Sequence, residues 1–538
     1  MPPRPKSLIL IAVAAIVLAA SFTPYIYAAS AAGEGYRFGG FLLNPIDGNS
    51  YLAKMRLGWQ GEWQFTLPYT AEVGKGSYLF LFYLFLGHLS RWLNISLVWT
   101  FHLARLLSVL FMLVGLNYFY KAIFPEVRLY SLAFLLAAIG SGMGWLGLLF
   151  GGFTADFWVA EAYPFLSAYA NPHFPLGLGL LLLIFLPAVL PSTPSDPVLN
   201  GELVALISRP WISGLLALLL AIIAPFGVVI ALSVLTGSLL WAFFQPREGY
   251  PFQSFLHRLI WVAVGGAPIL VYDLWITARD PLLSSWNAQN LTPSPPLWDL
   301  VVSLSPLLIF AMLGAGWLVM RDQRGLSNLG SGWRVPLVWL VLALLLMVLP
   351  VGLQRRFMMG LYVPLALFAV AGITWLAAGK DQKFWLLAAL VVLLVLPTNL
   401  VILLTTRYGV QKHDPVLYLS QAEAQAIDWL EAHTAQNALV LAAPATGLFI
   451  PAQSGRRVIY GHPFETVSAA EEEQAVESFF SDTDAESQRR FLNERGVAYV
   501  FDGPRERQLG SIADPDSLQL VFQAGDVVIY AVPIGGIH

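Results

Sequence analysis

The chain has no cysteine in its 538 residues. That absence excludes disulfides, thiolate nucleophiles, cysteine-ligated zinc and iron–sulfur clusters. Charge is scarce as well. Asp, Glu, Lys and Arg make up 12% of the sequence, well below the roughly 25% usual in soluble domains. No Lys/Arg run marks a nucleic-acid track, and a net charge of −3 gives no hint of one, so nucleic acid is not an expected partner. No internal repeat is visible. What is present is 57% hydrophobic with a mean hydropathy of +0.66. The chain reads as a polytopic α-helical membrane protein, multi-pass in the cell membrane.

Span length and loop charge predict about eleven transmembrane helices. They cover 8–29, 97–120, 129–150, 174–190, a hairpin over 203–244 broken at "APFG", 259–276, 300–320, 335–350, 358–378 and 384–405. The first run stays uncharged to Ala32. Two readings of it stay open, a retained span and a cleaved signal peptide. Both leave Arg4 and Lys6, and so the N-terminus, cytoplasmic and residues 33 onward outside. The same logic places Lys121, Arg258 and Lys380 inside and Asp156, Arg279 and Trp429 outside. Arg355 and Arg356 run against the positive-inside rule in this register. "SYLFLFYLFLGHL", 77–89, is too short to cross and reads as interfacial or re-entrant.

Residues 1–410 thus form a transmembrane domain with an external loop at 33–95 and a second, acidic external loop at 151–174. From 411 the composition changes. "AEAQAIDWLEAHT", "AAEEEQAVESFF" and "DAESQRRFLNERG" have the pattern of helices, the last closed by Gly496. "ALVLAA", "RRVIYG", "VAYVF", "LQLVF" and "DVVIYAV" have the pattern of strands. Residues 411–538 are therefore expected to fold as a soluble α/β domain of about 125 residues, on the extracytoplasmic side.

Four polar clusters fall on the external side of this topology. Asp47, Tyr51 and Lys54 lie at i, i+4 and i+7, on one helical face, with Arg56, Trp59 and Trp63 close behind. Asp156, Trp158 and Glu161 sit in "TADFWVAEAYPF", followed by His173 in "ANPHFP". His102 and Arg105 stand near the outer end of the second span, and Arg355 and Arg356 at the mouth of another. Ionisable groups at membrane depth cost about 2.5–3.5 kcal/mol each and are usually interior, paired and functional. Each cluster also has a plainer reading. Asp47 would serve as a helix N-cap, Asp156 and Glu161 as a solvated loop, His102 and Arg105 as a packing pair, and the two arginines as snorkelling cations.

Carboxylates in external loops beside arginines at the lipid boundary suit one chemistry in particular. A carboxylate takes the proton of an acceptor hydroxyl while a sugar is displaced. Arginine holds the phosphate of a lipid leaving group, and indoles stack on the sugar. Asp47, Asp156 and Glu161 are then the catalytic candidates. Arg355, Arg356, Lys54, Arg56, Arg105 and His102 are the donor-phosphate candidates. Tyr51, Trp59, Trp63, Trp158 and His173 are the candidate site lining.

The plan resembles the GT-C superfamily of polytopic glycosyltransferases, whose members include oligosaccharyltransferases, protein O-mannosyltransferases and aminoarabinose transferases. The motifs carrying the likeness are "IDGNSYLAKMRLG", "DFWVAEAYPFLSAYANPHFP" and "LQRRFMMGLYVPLA". The resemblance implies an inverting transferase of the cell envelope that takes a sugar from a polyprenyl-phosphate donor to a glycan, lipid or protein acceptor. It puts Asp47 at the first-loop catalytic acid and Asp156 and Glu161 at the second acidic motif. It also implies a possible divalent cation, Mg or Mn, with Asp47, Asp156, Glu161 and His173 as the ligand candidates. The second motif departs from the D-x-E spacing of oligosaccharyltransferases, and their W-W-D-x-G signature is missing, which argues against transfer to asparagine. A transporter or flippase of a lipid-linked or sugar substrate, and a membrane scaffold with an external interaction domain, are the alternatives. Transport is disfavoured by the lack of a repeat, and a scaffold has no use for convergent carboxylates.

Overall fold

The structure, a computed structural model, describes residues 5–190, 198–244, 252–323 and 331–533. Arg4, expected in the cytoplasm, and the side chain of Lys6 lie outside the described part.

Among the described residues six helices are long and apolar enough to cross a membrane: Leu8–Ala31, Leu97–Ile123, Val127–Leu148, Pro225–Phe244, Phe252–Arg279 and Asp381–Gln411. Leu297–Leu304 and Leu307–Arg321 form a further apolar pair bent by 84°. Four shorter apolar helices, His173–Val189, Pro210–Ile223, Arg334–Leu346 and Tyr362–Ala377, fall where spans are expected. The break at "APFG" is real: one helix ends at Ile223 and the next starts at Pro225, because proline has no N–H to continue a helix but fits its first turn. Pro210 makes a second break that the sequence reading missed, separating Glu202–Ile207 from Pro210–Ile223. The 77–89 stretch folds as Leu81–Leu93, about 20 Å of helix and too short to cross.

The chain divides into two compact units. The first comprises residues 1–23, 103–272 and 292–405. Its core is built on the helix Tyr362–Ala377, buried along most of its length. The Tyr120 hydroxyl donates to the Val363 carbonyl at 2.9 Å. Trp339 is fully buried and meets the Phe185 ring edge-on at 5.1 Å.

The second unit comprises residues 24–102, 273–291 and 406–538. The boundary expected at residue 411 lies close to where the chain re-enters this unit, which also takes in the first loop. Strand β1 (Tyr36–Phe38) pairs antiparallel with β2 (Tyr418–Ser420). Five more strands, β3 (Leu439–Leu441), β4 (Arg457–Val458), β5 (Tyr499–Asp502), β6 (Gln519–Ala524) and β7 (Val527–Ala531), form a sheet in the order β4-β3-β5-β7-β6. Strand β3 runs parallel to both its neighbours, and β7 is antiparallel to both of its own. All five match strands expected from sequence, and Leu441, Val476, Phe480 and Val500 are in its core. The three expected helices are Gln421–His433, Ala469–Ser481 and Ala485–Arg495. Gly496 closes the last of them at φ +66°, a conformation glycine adopts without strain.

The first-loop helix, Pro45–Gln60, starts with proline and stops at Gly61. It packs on Leu81–Leu93 with backbones nearly touching. A Cβ at Gly58 would lie 2.0 Å from the Leu84 carbonyl oxygen, and one at Gly87 would lie 1.9 Å from that of Met55. Only glycine fits these two crossings, and they hold one side of the helix that carries Asp47.

Candidate active site

Helix 45–60 turns Asp47, Ser50, Tyr51 and Lys54 to one face, as the i, i+3, i+4 and i+7 spacing requires. Asn44, not Asp47, is the N-cap residue. Asp47 lies inside the first turn with its side chain 46% exposed. Opposite it stands the turn His462–Glu465. Lys54 Nζ donates to Glu465 Oε1 at 2.7 Å and to Ser50 Oγ at 2.6 Å. The Ser50 hydroxyl also donates to Glu465 Oε1, at 3.0 Å. Burial is the largest influence on Glu465 and opposes its charge, but Lys54, His462 and the Ser50 hydroxyl together outweigh it and hold the carboxyl below its usual range. His462 Nε2 lies 3.8 Å from Asp47 Oδ1. Burial pushes this imidazole down, more strongly than Glu465 and Asp47 pull it up. Tyr51 stacks on Tyr83 at 4.4 Å, making an aromatic floor beside the carboxylate.

The first unit brings together the second acidic loop and the paired arginines, although nearly two hundred positions separate them. Glu161 Oε1 accepts from Arg355 Nε at 3.3 Å and from Arg356 Nη1 at 3.2 Å. Its side chain is nearly enclosed, whereas those of Arg355 and Arg356 are 21% and 27% exposed. The Arg355 guanidinium lies 4.9 Å above the ring of Trp158, a cation–π arrangement. Two partly exposed guanidiniums converge on one carboxylate oxygen, and paired guanidiniums are a composition suited to an anion.

Asp156, the other carboxylate of this loop, has a different place. It is fully buried and accepts from Thr154 Oγ1 at 2.6 Å and from the backbone N–H groups of Gly144 and Gly142 at 2.9 and 3.1 Å. A Cβ at Gly144 would sit 2.2 Å from Asp156 Oδ1, so the loop closes tightly on the carboxylate. Burial pushes its carboxyl up against the pull of these bonds. Asp156 is a strut of the second loop rather than a group facing solvent.

Four candidate phosphate ligands are also committed to protein partners. Lys54 is buried on Glu465. Arg56 donates to Glu431 at 2.7 Å and to the Gln453 carbonyl. Arg105 Nη1 donates to the carbonyls of Ser21 and Ala168, both at 2.8 Å, and His102 Nε2 lies 2.9 Å from the Gly40 carbonyl. Each satisfies a buried backbone or side-chain oxygen, the role that sequence spacing could not distinguish from phosphate binding. Trp59, with Arg56 over its ring at 5.2 Å, lines a groove of about 370 Å³ together with Arg37, Asp428 and Glu431. Trp63 stacks on His88 at 4.0 Å. His173 is buried at the start of its helix, tilted against Phe174 at 4.0 Å.

Among the described residues no group of three or more His, Asp or Glu side chains is placed to hold a metal ion. Asp156 is saturated by protein donors, Glu161 lies between two arginines, and the neighbour of Asp47 is an imidazole that presents an N–H. The donor set does not fit a bound divalent cation. Glu465 was not singled out in the sequence. The only signal for it was indirect, since a lysine on a buried helix face requires a carboxylate from somewhere.

No family model matches the chain, and no curated protein matches it in sequence. Solved structures match it along nearly its whole length. The archaeal oligosaccharyltransferase AglB from Archaeoglobus fulgidus, in complex with an inhibitory peptide and a dolichol-phosphate, has a TM-score of 0.55 at 12% identity, covering 99% of this chain and 75% of its own. The oligosaccharyltransferase of the same organism tethered with an acceptor peptide has a TM-score of 0.53 at 13% identity, covering 98% and 75%. ArnT from Cupriavidus metallidurans in the apo state has a TM-score of 0.50 at 12% identity, covering 98% and 97%. The chain has the fold that these solved structures share.

Proposed function

We propose that the protein is a membrane glycosyltransferase of the inverting GT-C type. It moves a sugar from a polyprenyl-phosphate-linked donor to an acceptor hydroxyl or amine on the extracytoplasmic side. The observation that carries this reading is the match of fold over 98–99% of the chain to enzymes of that class, one of them bound to dolichol-phosphate. In the step proposed, the acceptor heteroatom forms a bond to the anomeric carbon as the bond from that carbon to the phosphate oxygen breaks. Asp47 takes the acceptor proton, and the polyprenyl phosphate leaves with the electron pair. Asp47 suits the base because it is the exposed carboxylate of the first-loop helix, held on a face whose other charges are already paired. Arg355 and Arg356 suit the phosphate because two partly exposed guanidiniums stand together, and the planar fork matches phosphate oxygens.

The proposed topology keeps about eleven crossings, with the bent pair and the four shorter helices crossing as well. Residues 1–410 form the membrane domain, and 411–538 form an extracytoplasmic α/β domain. Single cysteines introduced at the exposed positions Lys380 and Glu471 should label from the cytoplasm and from outside respectively. The native chain has no cysteine to confuse the result.

The activity is tested by supplying the purified protein with a panel of radiolabelled polyprenyl-phosphate pentoses and hexoses and an envelope extract as acceptor. Wild-type protein should move label out of the lipid-phosphate fraction for at least one donor. Label that stays there for every donor contradicts the reading.

A further inference from the structure

His462 is buried, and its two ring nitrogens face different surroundings. Nδ1 accepts from the backbone N–H groups of Phe464 at 3.0 Å and of Glu465 at 3.1 Å. Two donors aimed at one nitrogen leave no room for a proton there, so the neutral ring carries its hydrogen on Nε2. That nitrogen makes no hydrogen bond within the structure, and it points at Asp47 Oδ1, 3.8 Å away. The remaining charges and dipoles around the ring are Glu465, Lys54 and the backbone of Ile46, with the Tyr69 ring tilted against it at 5.6 Å. Glu465 is neutralised by Lys54, and the Tyr69 hydroxyl donates to the Leu448 carbonyl at 3.0 Å. The buried Nε2–H thus faces the exposed carboxylate of Asp47, with the Ile46 backbone and the Lys54-paired Glu465 as its other polar surroundings.

We propose that His462 is the positioning residue for Asp47: its Nε2–H donates to one oxygen of the Asp47 carboxylate and fixes the plane in which the other oxygen meets the acceptor. The role requires the exposed Asp47 side chain to turn until the 3.8 Å gap becomes a hydrogen bond of about 2.9 Å. Catalytic hydrogen bonds are commonly longer before substrate binds. The locked Nδ1 has a second consequence. His462 cannot itself receive the acceptor proton, because Nε2 already carries one and Nδ1 is closed. The ring directs the base without replacing it, and the lock is supplied by the backbone of the same turn whose Glu465 side chain anchors Lys54.

This inference rests on Asp47 being the base, and two variants separate it from a role in folding. In His462→Asn the side-chain oxygen still accepts from the following backbone N–H groups, as in an Asx turn, but the donor toward Asp47 is lost. His462→Gln keeps an amide N–H at the reach of Nε2. With the full-length protein, His462→Asn should lower kcat about tenfold with KM for the lipid-linked donor unchanged, and His462→Gln should recover most of the rate. If both variants turn over at the wild-type rate per folded molecule while Asp47→Asn is inactive, the positioning role is wrong and the transferase reading stands. If Asp47→Asn is fully active, the positioning role and the assignment of Asp47 as base both fail, and the transferase reading stands.

A measurement independent of turnover closes the test. In protein labelled with ¹⁵N-histidine, the His462 ring should show the Nε2-protonated tautomer across pH 6–8, and Asp47→Asn should shift its Nε2 resonance. A ring protonated on Nδ1, or an Nε2 signal indifferent to Asp47→Asn, overturns the proposal whatever the activity.

Discussion

Lys54 and Glu465, 411 positions apart in the chain, meet in a 2.7 Å ion pair whose lysine side chain is 1% exposed. The pair joins the first-loop helix to the turn that carries His462, so the setting of Asp47 depends on a contact between two distant parts of the second unit.

Breaking that pair from one side should cost more than removing it. Lys54→Met leaves the Glu465 carboxylate buried without its cation, and such losses typically amount to ~3–5 kcal/mol. The double variant Lys54→Met with Glu465→Leu should recover a large part of that cost, since apolar replacement of a buried pair is often neutral. Thermal unfolding of the three proteins in detergent checks this. Equal destabilisation by the single and double variants would show that the pair is not coupled.

Acid should loosen the same region in two stages. The folded pKa of His462 is depressed below an unfolded value near 6.5, so its neutral form contributes stability above that pH, lost as pH falls below it. The folded pKa of Glu465 is depressed below a value near 4.5, so its contribution is lost on further acidification. Melting midpoints should therefore decline from about pH 6.5 downward and more steeply below about 4.5. His462→Asn should flatten the upper part of that decline. An unchanged pH profile in this variant would contradict the assignment.

Arg355→Ala and Arg356→Ala should each weaken binding of a polyprenyl-phosphate sugar. Loss of one charge-assisted hydrogen bond is worth ~1.5–3 kcal/mol, or about tenfold to a hundredfold in affinity. Replacement by lysine should restore only part of it, because the planar fork is lost. Binding to donor-loaded nanodiscs provides the measurement, and wild-type affinity in both alanine variants would remove the arginines from the site.

The helical face of Asp47, Tyr51 and Lys54 was legible in the sequence because helix periodicity is local. So were the strands of the five-stranded sheet and the Gly496 cap. Strand β1 was not, since three residues, Tyr36–Phe38, carry too little alternation to register. The partnership of Glu161 with Arg355 and Arg356 was half legible: the residues stood out as misplaced charge, but nothing local said that they meet. Asp156 and Arg105 mark the opposite limit. A buried carboxylate saturated by backbone N–H groups and a guanidinium capping carbonyls look, in one dimension, the same as groups kept for a ligand. Glu465 escaped because its meaning lies wholly in a lysine 411 positions earlier.

The central claim is that Asp47 removes the acceptor proton during sugar transfer. Asp47→Asn keeps the shape and the hydrogen-bonding atoms but removes the basicity, so single-turnover transfer from the polyprenyl-phosphate sugar should fall by about 10²–10⁴-fold. Donor affinity and the melting curve should stay at wild-type values. Well-folded Asp47→Asn protein that transfers sugar at the wild-type rate would contradict the claim.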